Sequence, residues 1–206
     1  QIEYLDPNNY NYTNQNRKII HGLMRKLHRA VTTSDYSYVN YYRSQYGNLP
    51  LWITINILTF GSISKMYKVL PQALRSKICR HFPAVHQKQL ERFLSVLTKY
   101  RNVCAHNDRL FTYRTVDQIL DTPLHAKMAL PKRGNQYMYG KQDLFAVVIA
   151  FRYLLPKENF ITFQTKLAAE LLKINSQLIH ITEDELMSHM GFPENWKDIT
   201  RYHITA

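Results

Sequence analysis

Apolar residues recur along most of this chain at three- and four-residue spacing, the pattern that lays a single stripe along an α-helix. Ile20, Leu23, Met24, Leu27 and Val31 predict a first helix from about Gln15 to Val31. A second, from about Asp35, is crowded with Tyr36, Tyr38, Tyr41, Tyr42 and Tyr46 before Gly47 stops it. Pro50 opens a third that holds Leu51, Trp52, Ile53, Ile55, Ile57 and Leu58, apolar almost all round and therefore expected to be buried. After Gly61, Ser62 reads as the N-cap of a short helix through Leu70, and Pro71 starts another out to about Phe82. Leu90, Phe93, Leu94, Leu97 and Tyr100 then mark a longer helix that begins near His86.

From about Asp108 to Lys141 the periodicity dissolves into Thr, Pro, Asn and Gly with scattered basic residues, which predicts a long irregular, basic loop. Such a loop is a substrate-binding element, a disordered tract, or a place where short helices hide from the pattern. Beyond it, Leu144, Val147, Val148, Phe151 and Leu154 predict one core helix. Phe160, Phe163, Leu167, Leu171, Ile174 and Leu178 predict another, at near-heptad spacing that suits helix packing. Thr182-Glu183-Asp184-Glu185 is a capping box for a small C-terminal helix ending at Gly191, and the tail around Phe192, Pro193 and Trp196 is expected to fold back. The reading is an all-α helical bundle with a long basic loop and a small helical appendage. No βαβ pattern and no internal repeat is visible.

At 206 residues the chain reads as one generous domain, long enough to bury a core. It begins at Gln1 rather than Met, so it is expected to be a fragment or a processed chain whose core lacks a contribution from an N-terminal segment. No apolar run approaches the roughly 18 residues that span a bilayer, and the Asn/Tyr-rich stretch from Tyr4 to Asn16 is no signal peptide. Cys79 and Cys104 are too few for a disulfide scaffold or a thiolate zinc cage. These features together fit a soluble cytoplasmic protein, with no membrane partner, no cofactor and no metal expected.

Charge narrows the partners. Lys and Arg number 27 against 15 Asp and Glu, a formal net charge of +12 that favours a polyanion, because neutralising phosphates releases condensed counterions. The outer face of the first helix carries Lys18, His21, Arg25, His28 and Arg29. It either tracks a phosphate backbone or is an ordinary solvated face. Tyrosines interleaved with Arg43 can stack on unpaired bases or simply fill an interface.

The chemistry concentrates where the long helix ends, in Arg101-Asn102-Val103-Cys104-Ala105-His106. RNA cleaves itself when a 2′-hydroxyl attacks the adjacent phosphate, so a catalyst needs proton transfer and stabilisation of the phosphorane, without a metal. A histidine supplies the first and a permanently charged, planar guanidinium the second. A separation of five residues places Arg101 and His106 about 140° apart around a straight helix, since each residue turns about 100°. Either the helix unwinds near Ala105, or the two groups meet their counterparts across a two-fold dimer. Each also has a plain alternative, because Arg and His near a helix C-terminus commonly serve the helix dipole. Cys104 is expected to face the core beside Leu97 and Tyr100.

This segment, continued through Asn107, Asp108, Arg109 and Leu110, resembles the Arg-polar-spacer-His signature of the HEPN superfamily. More narrowly it looks like the Abi-like branch, the AbiD/AbiF-type abortive-infection proteins of bacteria, where the pattern reads Arg-Asn-x-x-Ala-His-x-x-Arg-Leu. Leu49-Pro50-Leu51-Trp52 and Phe60-Gly61-Ser62-Ile63-Ser64-Lys65-Met66-Tyr67 resemble a second segment of that branch. The resemblance implies a HEPN fold, a homodimer or higher homo-oligomer with a composite site, RNA as substrate, a role in phage defence, and an antitoxin or defence-system partner. It assigns Arg101 and His106 as catalytic, Asn102 as their polar orienter, and Arg109 as a phosphate-binding residue. Arg25, Arg29, Lys132 and Arg133 complete the candidate RNA-binding set. A non-catalytic RNA-binding module and a protein-interaction subunit are the alternatives to an endoribonuclease.

Overall fold

The spacing that predicts the first helix yields α1 (Arg17–Thr33), whose Ile20, Leu23, Met24 and Leu27 are buried. In the computed structural model, which describes residues 3–204, the same logic yields α2 (Ser37–Tyr46), α3 (Leu51–Ile57), α4 (Phe60–Val69) and α5 (Gln72–Cys79). The chain divides into two units, Gln1–Ile78 and Cys79–Ala206, and the boundary falls at the end of α5.

In the first unit α1 packs on α3 and α4. The Asn/Tyr-rich opening is ordered as two short 3-10 turns, Glu3–Leu5 and Pro7–Asn9. Two tyrosines explain why. Tyr4 is buried and donates its hydroxyl to the Leu49 carbonyl at 2.8 Å, while Tyr10 donates to the Tyr4 carbonyl at 2.7 Å. Burial, reinforced by the neighbouring Tyr4, pushes the Tyr10 phenol up to about 12.

Two expectations are corrected here. Thr59, not Ser62, caps α4: the Thr59 hydroxyl accepts from the Ser62 N–H at 3.2 Å, and Ser62 is buried. The helix therefore starts one turn earlier, carrying Gly61 inside it. Nor is α3 buried all round. Its Ile53 and Thr54 are inside, but Trp52 is 58% exposed and lies edge-on to Tyr42 of α2.

The second unit is organised by α6 (Gln87–Ala105) and α8 (Leu144–Leu154), which pack together, with α9 (Lys157–Asn175) against α8. In α8 every residue from Phe145 to Ala150 is buried, as its near-continuous apolar sequence requires. Phe93, Phe145, Phe160 and Ile149 form the fully buried centre, where truncation of a phenylalanine to alanine costs about 3–5 kcal/mol. The capping box at Thr182 opens α10 (Glu183–Met190), with both reciprocal hydrogen bonds present, and Gly191 closes it at φ 80°. Phe192, Pro193 and Trp196 fold back into the core, as the tail pattern predicted.

The segment expected to be an irregular loop is better ordered than its composition implied. It contains α7 (Pro123–Lys127) and a hairpin of β1 (Lys132–Arg133) with β2 (Gln136–Tyr137). Ile119, Leu124, Met128 and Leu130 anchor it in the core without a sustained helical spacing, which is why the pattern was silent, and a buried polar node ties it to α8. His125, fully buried, accepts at Nδ1 from the Thr122 N–H at 3.0 Å and donates from Nε2 to the Gly140 carbonyl at 2.9 Å. Gly140 in turn donates its N–H to the Asp143 carboxylate, which caps α8 by accepting from the Ala146 N–H at 2.9 Å. A Lys141–Asp121 ion pair fastens the same segment from outside.

Candidate active site

The buried stripe of α6 runs through Leu90, Phe93, Val96, Leu97, Tyr100 and Val103. Tyr100 fixes the helix just ahead of the candidate residues, with its hydroxyl 2.9 Å from the Tyr113 carbonyl and 3.2 Å from that of Gln142. Burial drives its phenol well above the ordinary range, and the nearby Asp143 charge adds to the shift.

The helix then stops in a defined way. The Asn107 N–H donates to the Cys104 carbonyl at 3.3 Å and the Asp108 N–H to the Val103 carbonyl at 3.0 Å, the paired bonds of a Schellman motif. That motif requires a left-handed residue, and Asn107 supplies it at φ 56°. His106 is consequently the capping residue, at φ −97° and ψ 4°, rather than one more residue of a continuing helix. Sequence reasoning singled out His106 and missed Asn107. The available signal was an asparagine, the non-glycine residue that best tolerates this conformation, directly after the last periodic turn.

Arg101, Asn102 and His106 are all exposed, as are Ala105, Asn107, Asp108 and Arg109. Arg101 reaches the Asn102 side-chain oxygen at 3.5 Å, a long contact that links the pair without locking it. The expectation for Cys104 is corrected: it is exposed, because the core stripe leaves the helix through Val103. The segment thus offers solvent a guanidinium, a carboxamide and an imidazole in one short stretch, with a second guanidinium, Arg109, 5.8 Å over the Phe111 ring just beyond it.

The remaining candidates lie elsewhere. Lys132 and Arg133 sit on the exposed hairpin strand β1, where the Lys132 ammonium lies 4.4 Å from the Tyr137 ring centre. Arg25 and Arg29 belong to the first unit, both exposed on α1; Arg25 lines a groove and Arg29 is not among its lining residues. Among the described residues, no group of three or more His, Cys, Asp or Glu is placed to hold a metal ion. No helix among them is long and apolar enough to cross a membrane.

The family model of Abi-like proteins matches residues 1–112, more than half of the chain, including all of the first unit and α6 with its Arg101 to Arg109 extension. The chain belongs to the Abi-like family. Membership implies a part in abortive infection, the response by which an infected bacterium blocks phage propagation. No curated protein and no solved structure matches the chain. The match ends three residues beyond Arg109, so the exposed terminus of α6 falls inside the family region and the polar node at His125 and Asp143 outside it.

Proposed function

We propose that this Abi-like protein is a metal-independent endoribonuclease of the HEPN type, acting in phage defence through a composite site built from Arg101 and His106. The observation that carries the reading is the end of α6: a Schellman turn within the family region leaves Arg101, Asn102 and His106 exposed together, with no apolar packing to explain their residue types.

In this reaction the 2′-oxygen of the substrate bonds to the adjacent phosphorus while the bond from phosphorus to the 5′-oxygen breaks. The 2′-proton goes to a base, and the leaving 5′-oxygen takes a proton from an acid. The products are a 2′,3′-cyclic phosphate and a 5′-hydroxyl. His106 performs the proton transfers, and Arg101 holds the equatorial oxygens of the phosphorane. One chain offers one imidazole at this site, whereas a two-fold dimer brings two, one as base and one as acid. Asn102 orients Arg101, Arg109 holds a flanking phosphate, and Lys132 and Arg133 add contacts to the strand.

The test incubates the purified protein with total RNA in chelator and compares the wild type with Arg101→Ala and His106→Ala. Cyclic-phosphate ends are expected from the wild type and from neither variant. Undiminished cleavage by His106→Ala overturns the assignment.

A further inference from the structure

The charge of the chain is unevenly distributed. Residues 1–78 hold ten Lys and Arg against three Asp and Glu, a surplus of seven in well under half the length, and no acidic residue occurs between Asp35 and Glu91. Helix α1 itself contains none. Of the three acids, Asp6 caps the Asn8 N–H.

Within this unit lies a groove of about 770 Å³, lined along α1 by Arg17, Lys18, His21, Arg25 and His28 and extended by Asn14. Leu5 and Pro7, from the ordered opening turns, and Met24 of α1 supply its apolar lining. Lys18, His21, Arg25 and His28 follow one another at three, four and three residues, so they rise along a single face for about 15 Å. All four are exposed. His21 is oriented by a 2.9 Å hydrogen bond with the Tyr12 hydroxyl.

We infer that this groove binds the phosphate backbone of a nucleic-acid strand, so that the first unit captures the RNA which the end of α6 cleaves. The choice of RNA as the strand rests on the reading above; the preference for a polyphosphate rests on the groove. A concave track with a linear row of Lys, Arg and His side chains fits an extended strand. An acidic bilayer is a poorer occupant. A helix that lies in a membrane surface must present an apolar face to the acyl chains, and α1 has buried Ile20, Leu23 and Leu27 inside its own unit.

The experiment uses the full chain carrying His106→Ala, so that the probe survives, and measures anisotropy of a labelled single-stranded RNA across a salt series. Adding Lys18→Gln with Arg25→Gln is expected to weaken binding several-fold and to flatten the slope of log K against log salt by about 1.4, at about 0.7 per phosphate contact on a single strand. Lys65→Gln with Lys77→Gln removes the same charge from exposed positions outside the groove and is expected to change the slope little. Arg17→Gln with His28→Gln, at the two ends of the groove, must act in the same direction as the first pair.

Equal losses from groove and control pairs would show diffuse charge and overturn the inference. So would unaltered RNA binding by both groove pairs, or loss only of binding to vesicles of acidic lipid. A single-stranded DNA probe of the same sequence tells phosphate tracking from recognition of the 2′-hydroxyl. Salt-sensitive binding that depends on the groove, in a wild type that cuts nothing, sinks the nuclease and keeps the groove. Cleavage lost in His106→Ala, with binding indifferent to the groove pairs, does the reverse.

Discussion

The Asp108 N–H donates to the Val103 carbonyl at 3.0 Å, turning the chain back over the last turn of α6 and setting the orientation of His106 between them. The turn depends on Asn107 at φ 56°. Replacing Asn107 with glycine keeps the left-handed conformation available, so stability and cleavage are both expected to stay near wild type. Asn107→Val forces a β-branched residue into a region that costs about 1–2 kcal/mol, and cleavage should fall while the rest of α6 persists. Thermal melts read the first effect and RNA cleavage the second. An inactive glycine variant would mean that the asparagine side chain itself takes part.

The composite site makes a prediction that a self-contained site does not. Arg101→Ala and His106→Ala are each expected to be inactive, and wild type refolded with an excess of His106→Ala should lose more activity than dilution explains. Each mixed dimer holds a single imidazole and so lacks the pair of base and acid at the shared centre. Activity that falls as the square of the wild-type fraction is the expected outcome. A mixture that forms mixed dimers by native mass spectrometry and keeps activity in linear proportion to the wild-type fraction would reject shared catalysis.

Why the bundle could be read in the sequence and the node could not follows from what each is made of. Val147, Val148 and Phe151 announce α8 because apolar periodicity is a one-dimensional trace of a buried face. The capping box at Thr182 is equally local, three residues from donor to acceptor. His125, Gly140 and Asp143 meet only after the chain has turned between them, so no periodicity marks them; composition alone made their segment look irregular. The local hints were Thr122 followed by Pro123 at the start of α7, and Asp143 directly before an apolar run. Arg101 and His106 drew notice for a different reason, their residue types in a family pattern, while the turn that exposes them depends on a backbone angle at Asn107.

Gly191 tests how tightly the C-terminal helix is seated. A Cβ at this position would lie 2.4 Å from the Asp143 carboxyl carbon, and the residue sits at φ 80°. Gly191→Ala therefore meets both a steric and a conformational penalty, in a place where Asp143 is held by its bonds to Gly140 and Ala146. A loss of roughly 2–4 kcal/mol is expected, read as a lower denaturant midpoint. Gly47→Ala, at φ 67° with open space around it, carries only the conformational part and should cost about 1 kcal/mol. Equal costs at the two sites would show that the Asp143 contact relaxes freely.

The same node sets the acid response of the second unit. Burial lowers His125 to about 4 from its usual 6.5, against the pull of its bond to the Gly140 carbonyl, and burial raises Asp143 from 3.8 to about 6. The two act with opposite sign. The stabilisation associated with neutral His125 is complete above pH 6.5 and is lost as pH falls towards 4, because the unfolded chain takes up the proton first. The penalty of burying the Asp143 anion is complete above about pH 6 and is relieved as pH falls towards 3.8, because here the folded chain takes it up first. Each shift corresponds to about 3 kcal/mol, so between pH 6 and 4 they largely offset one another. Asp143→Asn keeps a good N-cap residue and removes only the second effect. Its stability is expected to fall steeply from pH 6.5 to 4 where the wild type stays comparatively level, as followed by urea midpoints across that range. Parallel curves for the two proteins would mean that Asp143 does not titrate in this window.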